Sequence, residues 1–340
     1  LVVMRVLFVL LFCLTVAAAY PFRYQKNRRY SYNYNGWIAH GVAEALEKDL
    51  ALKITAKAHF DFLNSGYVRM TLEGVKLLKI VDKVLYNDRL ETKVDEEVEL
   101  EDVSAKLRKC LELPIKFRFK LNAIERKIFT EQGVPEYCLN VQRAIANQFY
   151  LPIKGNNEKY QVRENEVTVI GKCTVGYALM TEKPYYQVKR VIDLFTCAKQ
   201  PMSLKFSTPN TDAFYRRRMG RGTAKEMPNF SRRAVYMHYD LDGDLKAGFI
   251  IRNVISENVE DLTLNGDQYQ AGKAVAAYSR QQLTLCAKNQ PIPSTAKAIQ
   301  NKQKRGGLLF VFDTNKTEIE SSGGQANVLR EVRKHIAAIK

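Results

Sequence analysis

The sequence predicts a mainly-β fold: a large antiparallel β-barrel around a central helix, followed by the start of an α-helical domain. Three observations lead there. Segments of two-residue alternation recur from residue 30 to residue 285, a single helical pattern stands among them at 133–153, and the composition changes after residue 287.

The alternation is clearest from Leu52, in "LKITAKAHFDF". Leu52, Ile54, Ala56, Ala58, Phe60 and Phe62 fall on one face, and Lys53, Thr55, Lys57, His59 and Asp61 on the other, the period of a half-buried antiparallel strand. "YVRMTLEGVKLLKI" (67–80) answers it after the turn Asn64-Ser65-Gly66. In "IKFRFKL" (115–121), Ile115, Phe117, Phe119 and Leu121 oppose Lys116, Arg118 and Lys120. Further strands read at 30–40, 166–180, 186–196, 234–241, 245–255 and 274–285, with Asp242-Gly243-Asp244 turning a hairpin. Such strands keep one face in a core and one in water. Closing the sheet removes its edges, and a barrel of this many strands encloses more space than strand side chains fill.

"GVPEYCLNVQRAIANQFYLPI" (133–153) supplies the filling. Cys138, Val141, Ile145 and Phe149 recur at helical spacing between Pro135 and Pro152. The expectation is a helix that plugs the barrel or crosses its mouth; a helix lying on the outside of an open sheet is the alternative.

Beyond the strands, "KNQPIPSTAKAIQNKQKRGG" reads as a linker, "LLFVFD" (308–313) as a last strand, and "SSGG" (321–324) as a break. "ANVLREVRKHIAAIK" then starts a helix with Val328, Leu329, Val332 and Ile336 on one side. The organisation expected is a signal peptide at 1–19, a barrel domain at 20–287, a linker with a possible strand at 288–324, and the beginning of a helical domain at 325–340. That last apolar stripe meets nothing after it, so the expectation is the front part of a longer protein.

From Met4 the chain carries Arg5, an apolar run and Ala17-Ala18-Ala19, a secretory signal cut before Tyr20. The three residues before Met4 read as translated upstream nucleotides. The apolar run is too short to span a membrane and no later stretch is long enough. Loss of Cys13 leaves Cys110, Cys138, Cys173, Cys197 and Cys286, an odd set in a compartment that permits disulfides. Asn229 (Asn-Phe-Ser) and Asn315 (Asn-Lys-Thr) are glycosylation candidates.

The net charge is +17, with basic clusters at 23–29, 215–221, Arg232-Arg233 and 301–305 and an acidic one at 88–102. A secreted basic surface points to sulphated glycans, acidic receptor modules or anionic lipid headgroups rather than nucleic acid, with a plainly solvated face as the alternative. Arg218-x-x-Arg221 also has the minimal form of a convertase processing site.

No catalytic, cofactor-binding or metal-binding residue is expected. His40, His59, His238 and His335 stand apart, and no HExxH, GxSxG, phosphate loop or CxxC occurs. The Gly-x-Gly of "RMGRGTAKE" neither follows an apolar strand nor opens a helix. His59, on the polar face of its strand, reads as a surface histidine.

"GVPEYCLNVQRAIANQF", then "ENEVTVIGKCTVGY", then "VIDLFTC" resemble the N-terminal domain of the large lipid transfer proteins: vitellogenins, apolipophorins, apolipoprotein B and the microsomal triglyceride transfer protein. The matching positions are Asn140 and Arg143, Glu166, Gly171, Cys173 and Tyr177, and Cys197; "YSYNYNGWIAHG" and "PIKFRFKLNAIERKIF" add to the likeness, which covers 28–290 and is greatest to vitellogenin. It implies a β-barrel wrapped around a central helix, lipovitellin N-sheet-like, and a structural Cys173–Cys197 bridge. Cys138 is then a buried thiol, while Cys110 and Cys286 pair with each other or beyond the chain. Asn122-Ala123 replaces a usual glycine-containing turn, and a second close cysteine pair is missing, so the branch of the family stays open.

The resemblance further implies no enzyme and no cofactor. It implies a yolk precursor (a nutrient reservoir) or circulating lipoprotein whose full-length form carries phospholipid and neutral lipid. The barrel would dock an endocytic lipoprotein receptor or sulphated glycan, with Arg216, Arg217, Arg218, Arg221, Arg232 and Arg233 as the candidate patch. A homo-oligomer stays open. The alternatives are a secretory-pathway lipid-loading protein similar to the microsomal triglyceride transfer protein, or a stand-alone secreted polyanion-binding barrel. Apolar strand faces are expected to form the domain's own core, not a lipid lining.

Overall fold

The structure, a computed structural model, describes residues 23–42, 50–80, 97–120, 123–124, 127–153, 159–182, 185–198, 233–244, 248–263 and 274–307. The signal segment, Asn229, Asn315, the strand expected at 308–313 and the helix expected at 325–340 lie outside them.

In chain order the elements are β1 (Arg28–Val42), β2 (Leu50–Phe62), β3 (Val68–Ile80), β4 (Glu97–Glu99), α1 (Glu101–Leu111), β5 (Ile115–Phe117), β6 (Phe119–Lys120), β7 (Ala123–Ile124) and β8 (Ile128–Glu131). There follow α2 (Glu136–Gln148), β9 (Tyr160–Val167), β10 (Lys172–Glu182), β11 (Tyr185–Ala198), β12 (Arg233–Asp244), β13 (Gly248–Thr263), β14 (Ala274–Pro291) and β15 (Lys302–Arg305). Apart from the small β6–β7 pair, the strands form one sheet in the order β15-β8-β5-β3-β2-β1-β14-β13-β12-β11-β10-β9, with β4 beside β3.

The sheet is not a closed barrel, contrary to the expectation from sequence. Its path ends at β15 and at β9, and these two do not pair. Alternation reports which face of a strand is buried, whereas closure depends on the stagger and tilt summed over every strand. The ends carry charge instead: β15 is the four-residue Lys-Gln-Lys-Arg, and β9 carries Arg163 and Glu164.

With no lumen to plug, α2 packs on the apolar face of the sheet. Phe149, at its C-terminus, stacks on Phe60 of β2 with ring centroids 3.9 Å apart and meets Tyr32 of β1 edge-on at 5.0 Å. Met70, Ile115, Phe117, Leu139 and Ile145 are buried in the same cluster. Phe149→Ala should therefore cost about 3–5 kcal/mol. A lower denaturation midpoint at unchanged slope checks this; a loss below about 1 kcal/mol would mean that the helix is not anchored there.

Helix α1 was hidden in sequence by the acidic run before it. Ser104, Leu107 and Leu111 turn inward, with Glu101 and Asp102 in the first turn and Arg108 and Lys109 in the last, the charge order that suits the helix dipole. Ser104 Oγ accepts from Leu77 N at 2.9 Å and Arg108 Nη1 donates to Val75 O at 3.2 Å, fastening α1 to β3. This helix brings Cys110 to Cys138, and the two form a disulfide. Cys138 is thus not the buried free thiol expected, because the partner sits on an element the sequence did not reveal.

Candidate functional site

The residues of the Glu-x4-Gly-x-Cys-x3-Tyr pattern converge under the sheet. Thr168 Oγ1 accepts from Ile170 N and Gly171 N at 3.1 and 3.2 Å, turning the segment expected as one strand into β9 and β10. That turn sets Glu166 opposite Cys173 and aims its carboxylate inward. Tyr177 donates to Glu166 Oε2 at 2.5 Å, and Arg190 Nη2 of β11 to Oε1 at 2.6 Å. Arg190 Nη1 lies 3.0 Å from Met237 Sδ on β12, and Tyr239 OH is 3.5 Å from the same sulfur. Arg190 is 0% exposed and Glu166 6%. Burial pushes the Tyr177 phenol well above its usual value and Tyr239 up to about 12, with Arg190 opposing both. Cys173 and Cys197 are joined by a disulfide beside this cluster. The arrangement ties four strands together and offers no solvated reactive group.

The Asn-x-x-Arg pair has a comparable task on α2. Arg143, fully buried, donates to Glu136 Oε2 at 2.8 Å, to Asn140 Oδ1 at 2.7 Å and to the carbonyl of Gly307 at 3.1 Å. It clamps the segment after β15 onto the helix.

The opposite face of the sheet is polar. Ser31 Oγ lies 2.8 Å from His59 Nδ1, and His59 Nε2 lies 2.7 Å from Glu73 Oε2. The hydrogen bond with His59 holds the Glu73 carboxyl below its usual range. The connectivity is that of a hydrolase triad, but Ser31 is only 4% exposed within its strand row and presents no hydroxyl to a substrate. His59, expected at the surface, is 7% exposed because β1 and β3 side chains flank it. Cys286 is an exposed free thiol whose Sγ donates to Ser31 O at 3.3 Å, so it is not the partner of Cys110.

One row further along, Asp61 is fully buried between two guanidinium groups. Arg29 reaches both its oxygens at 2.7 and 3.0 Å, and Arg69 donates twice to Oδ2 at 3.0 and 2.7 Å. Of the basic patch expected from sequence, Arg216, Arg217, Arg218, Arg221 and Arg232 lie outside the described residues, and Arg233 opens β12. The cations that the structure does bring together are others, on β5 and β15 and just after β5. Alternation alone put Lys116 and Arg118 outward, but their neighbours follow only from strand order.

Among the described residues no group of three His, Cys, Asp or Glu could hold a metal ion, and no helix is long and apolar enough to cross a membrane.

Known proteins resemble the chain in sequence and in fold. The profile of the vitellogenin N-terminal domain matches residues 24–291. The chain is 26% identical to vitellogenin of Ichthyomyzon unicuspis over 213 residues, covering 60% of this chain and 10% of that protein. It is 23% identical to vitellogenin of Acipenser transmontanus over 291 residues, covering 84% and 16% respectively. The chain thus spans only a small part of the relatives it matches. A solved structure of lipovitellin, concerned with its lipid–protein interactions, superposes with a TM-score of 0.67 at 19% identity, over 87% of this chain and 28% of that one. At that identity the likeness speaks for the fold.

Proposed function

Because the chain belongs to the vitellogenin N-terminal domain family, we propose that it is the N-terminal part of a secreted lipid-transport protein, a yolk precursor or circulating lipoprotein. The family is one of non-catalytic lipid carriers. In this reading the sheet serves as a docking module, and lipid is held by the remainder of a longer protein.

The observation that carries the docking role is the filling of the apolar face. Phe60, Met70, Phe117 and Ile145 are spent on α2 and the strands themselves, at 0% exposure, so they form the domain's own core and not a lipid lining. The protein purified natively by antibody from extracellular fluid should release phospholipid and neutral lipid on solvent extraction. Recovery of neither would overturn the lipid role.

The Arg216–Arg233 cluster is proposed as part of the docking surface. Arg216→Gln/Arg217→Gln/Arg218→Gln/Arg221→Gln should lower uptake by cells that internalise the unaltered protein; equal uptake would remove the cluster from the account. Asn229 and Asn315 are proposed to carry N-glycans. Peptide N-glycosidase should increase gel mobility, and no change would remove them.

A further inference from the structure

The sheet's polar face carries a line of cations that neither the family match nor the arginine cluster assigned. Cross-strand register sets one row across six strands: Arg29, Asp61, Arg69, Lys116, Phe129 and Lys304. At strand spacing this row is about 24 Å long. Lys302, two residues along β15 from Lys304, and Arg118, just past the end of β5, flank it.

Two aromatic rings hold the long side chains in place. Lys116 Nζ and Arg118 Cζ each lie 4.7 Å from the centroid of Tyr67, and Lys302 Nζ lies 4.1 Å from that of Phe129. Arg118 is fixed further by a 2.9 Å hydrogen bond to Ser65 O. Cations held this way lose less freedom when they bind an anion.

The nearby carboxylates are already engaged. Asp61 is saturated by Arg29 and Arg69, and Glu131 accepts the backbone N–H groups of Gln300 and Asn301 at 2.6 and 2.8 Å. Partial burial, with Lys302 and Arg69 nearby, pushes the Lys116 ammonium below its usual value, as expected where positive charge is packed without a counter-charge.

We propose that this face, with Lys116, Arg118, Lys302 and Lys304 as the contacts, binds an extended sulphated glycan. The shape favours a glycan over a folded acidic module. Lys116 and Lys304 share one row on either side of Phe129, with Arg118 and Lys302 beside them, an elongated set of charges that suits a polymer of repeated anions. The rings of Tyr67 and Phe129 are covered by ammonium and guanidinium groups, so the face offers no bare apolar anchor for a protein partner. The site does not depend on the lipid reading.

The test uses the full chain on immobilised heparin over a salt series. Lys116→Gln/Lys302→Gln/Lys304→Gln should bind on the order of tenfold more weakly or worse at physiological salt, with a shallower salt dependence, because fewer counterions are released. Thermal midpoints report whether the variant folds; Lys302→Gln/Lys304→Gln, both at exposed positions of β15, provides a second variant. Unchanged heparin affinity in a folded variant would overturn the proposal. So would loss confined to Arg216→Gln/Arg217→Gln/Arg218→Gln/Arg221→Gln. Poly-glutamate binding more tightly than heparin would overturn it in favour of an acidic protein partner.

Discussion

Glu166→Gln should unfold far more readily than the unaltered protein, by about 3–5 kcal/mol, because it breaks a buried ion pair from one side only. Arg190 would keep its charge at 0% exposure while losing the carboxylate oxygen 2.6 Å from its Nη2. Tyr177, which donates to the other oxygen, would face a neutral amide. The paired change Glu166→Gln/Arg190→Met removes the stranded charge and should recover most of the loss, so the two substitutions should be strongly non-additive. Chemical denaturation of the four proteins measures this cycle. A loss below about 1 kcal/mol for Glu166→Gln would show that the cluster is solvated, contrary to the structure.

The second large effect concerns the bridge between the two helices. Cys110→Ala/Cys138→Ala should lower stability by roughly 3–4 kcal/mol, the chain-entropy value for the loop that it releases. The bridged residues are 28 apart in sequence, and the bond joins α1, hung on β3, to α2 on the core. Reduction of the unaltered protein should reproduce that loss together with that of the Cys173–Cys197 bridge, while reduction of the double variant should show only the latter. Peptide mapping without reductant gives the pairing directly. Cys110 linked to Cys286 instead would contradict the structure.

The sequence was informative wherever the physics was local. Strands such as β2 and β11 follow from alternation, and α2 from a stripe of apolar residues between two prolines. Closure was not local: it turns on whether β15 and β9 meet, which no residue near either announces. Helix α1 has no such pair of prolines: its apolar positions Leu107 and Leu111 are few, and its first turn lies inside the acidic cluster at 88–102. His59 sat on the polar face as expected, yet Ser31 and Glu73 come from strands 28 and 14 residues away, so its burial could not be read. Arg190 left one usable trace. It lies between Val188, Ile192 and Leu194 on the inward side of β11, and an arginine in an apolar row needs a buried partner.

The same limit applies to the surface. Lys116 and Lys302 are far apart in sequence and adjacent only through the order β15-β8-β5, so their cluster is a product of topology. The runs of arginine that stand out in the chain mark composition, and composition does not say which charges share a face.

The most direct measurement is a size-resolved immunoblot across a density gradient of extracellular fluid and cell extract, using an antibody raised against residues 133–153. A lipid-transport protein is expected to give a band several times larger than 39 kDa that floats with lipid. A lipid-free band near 39 kDa would contradict the lipid-carrier account for this product and leave its cationic sheet face to carry the function.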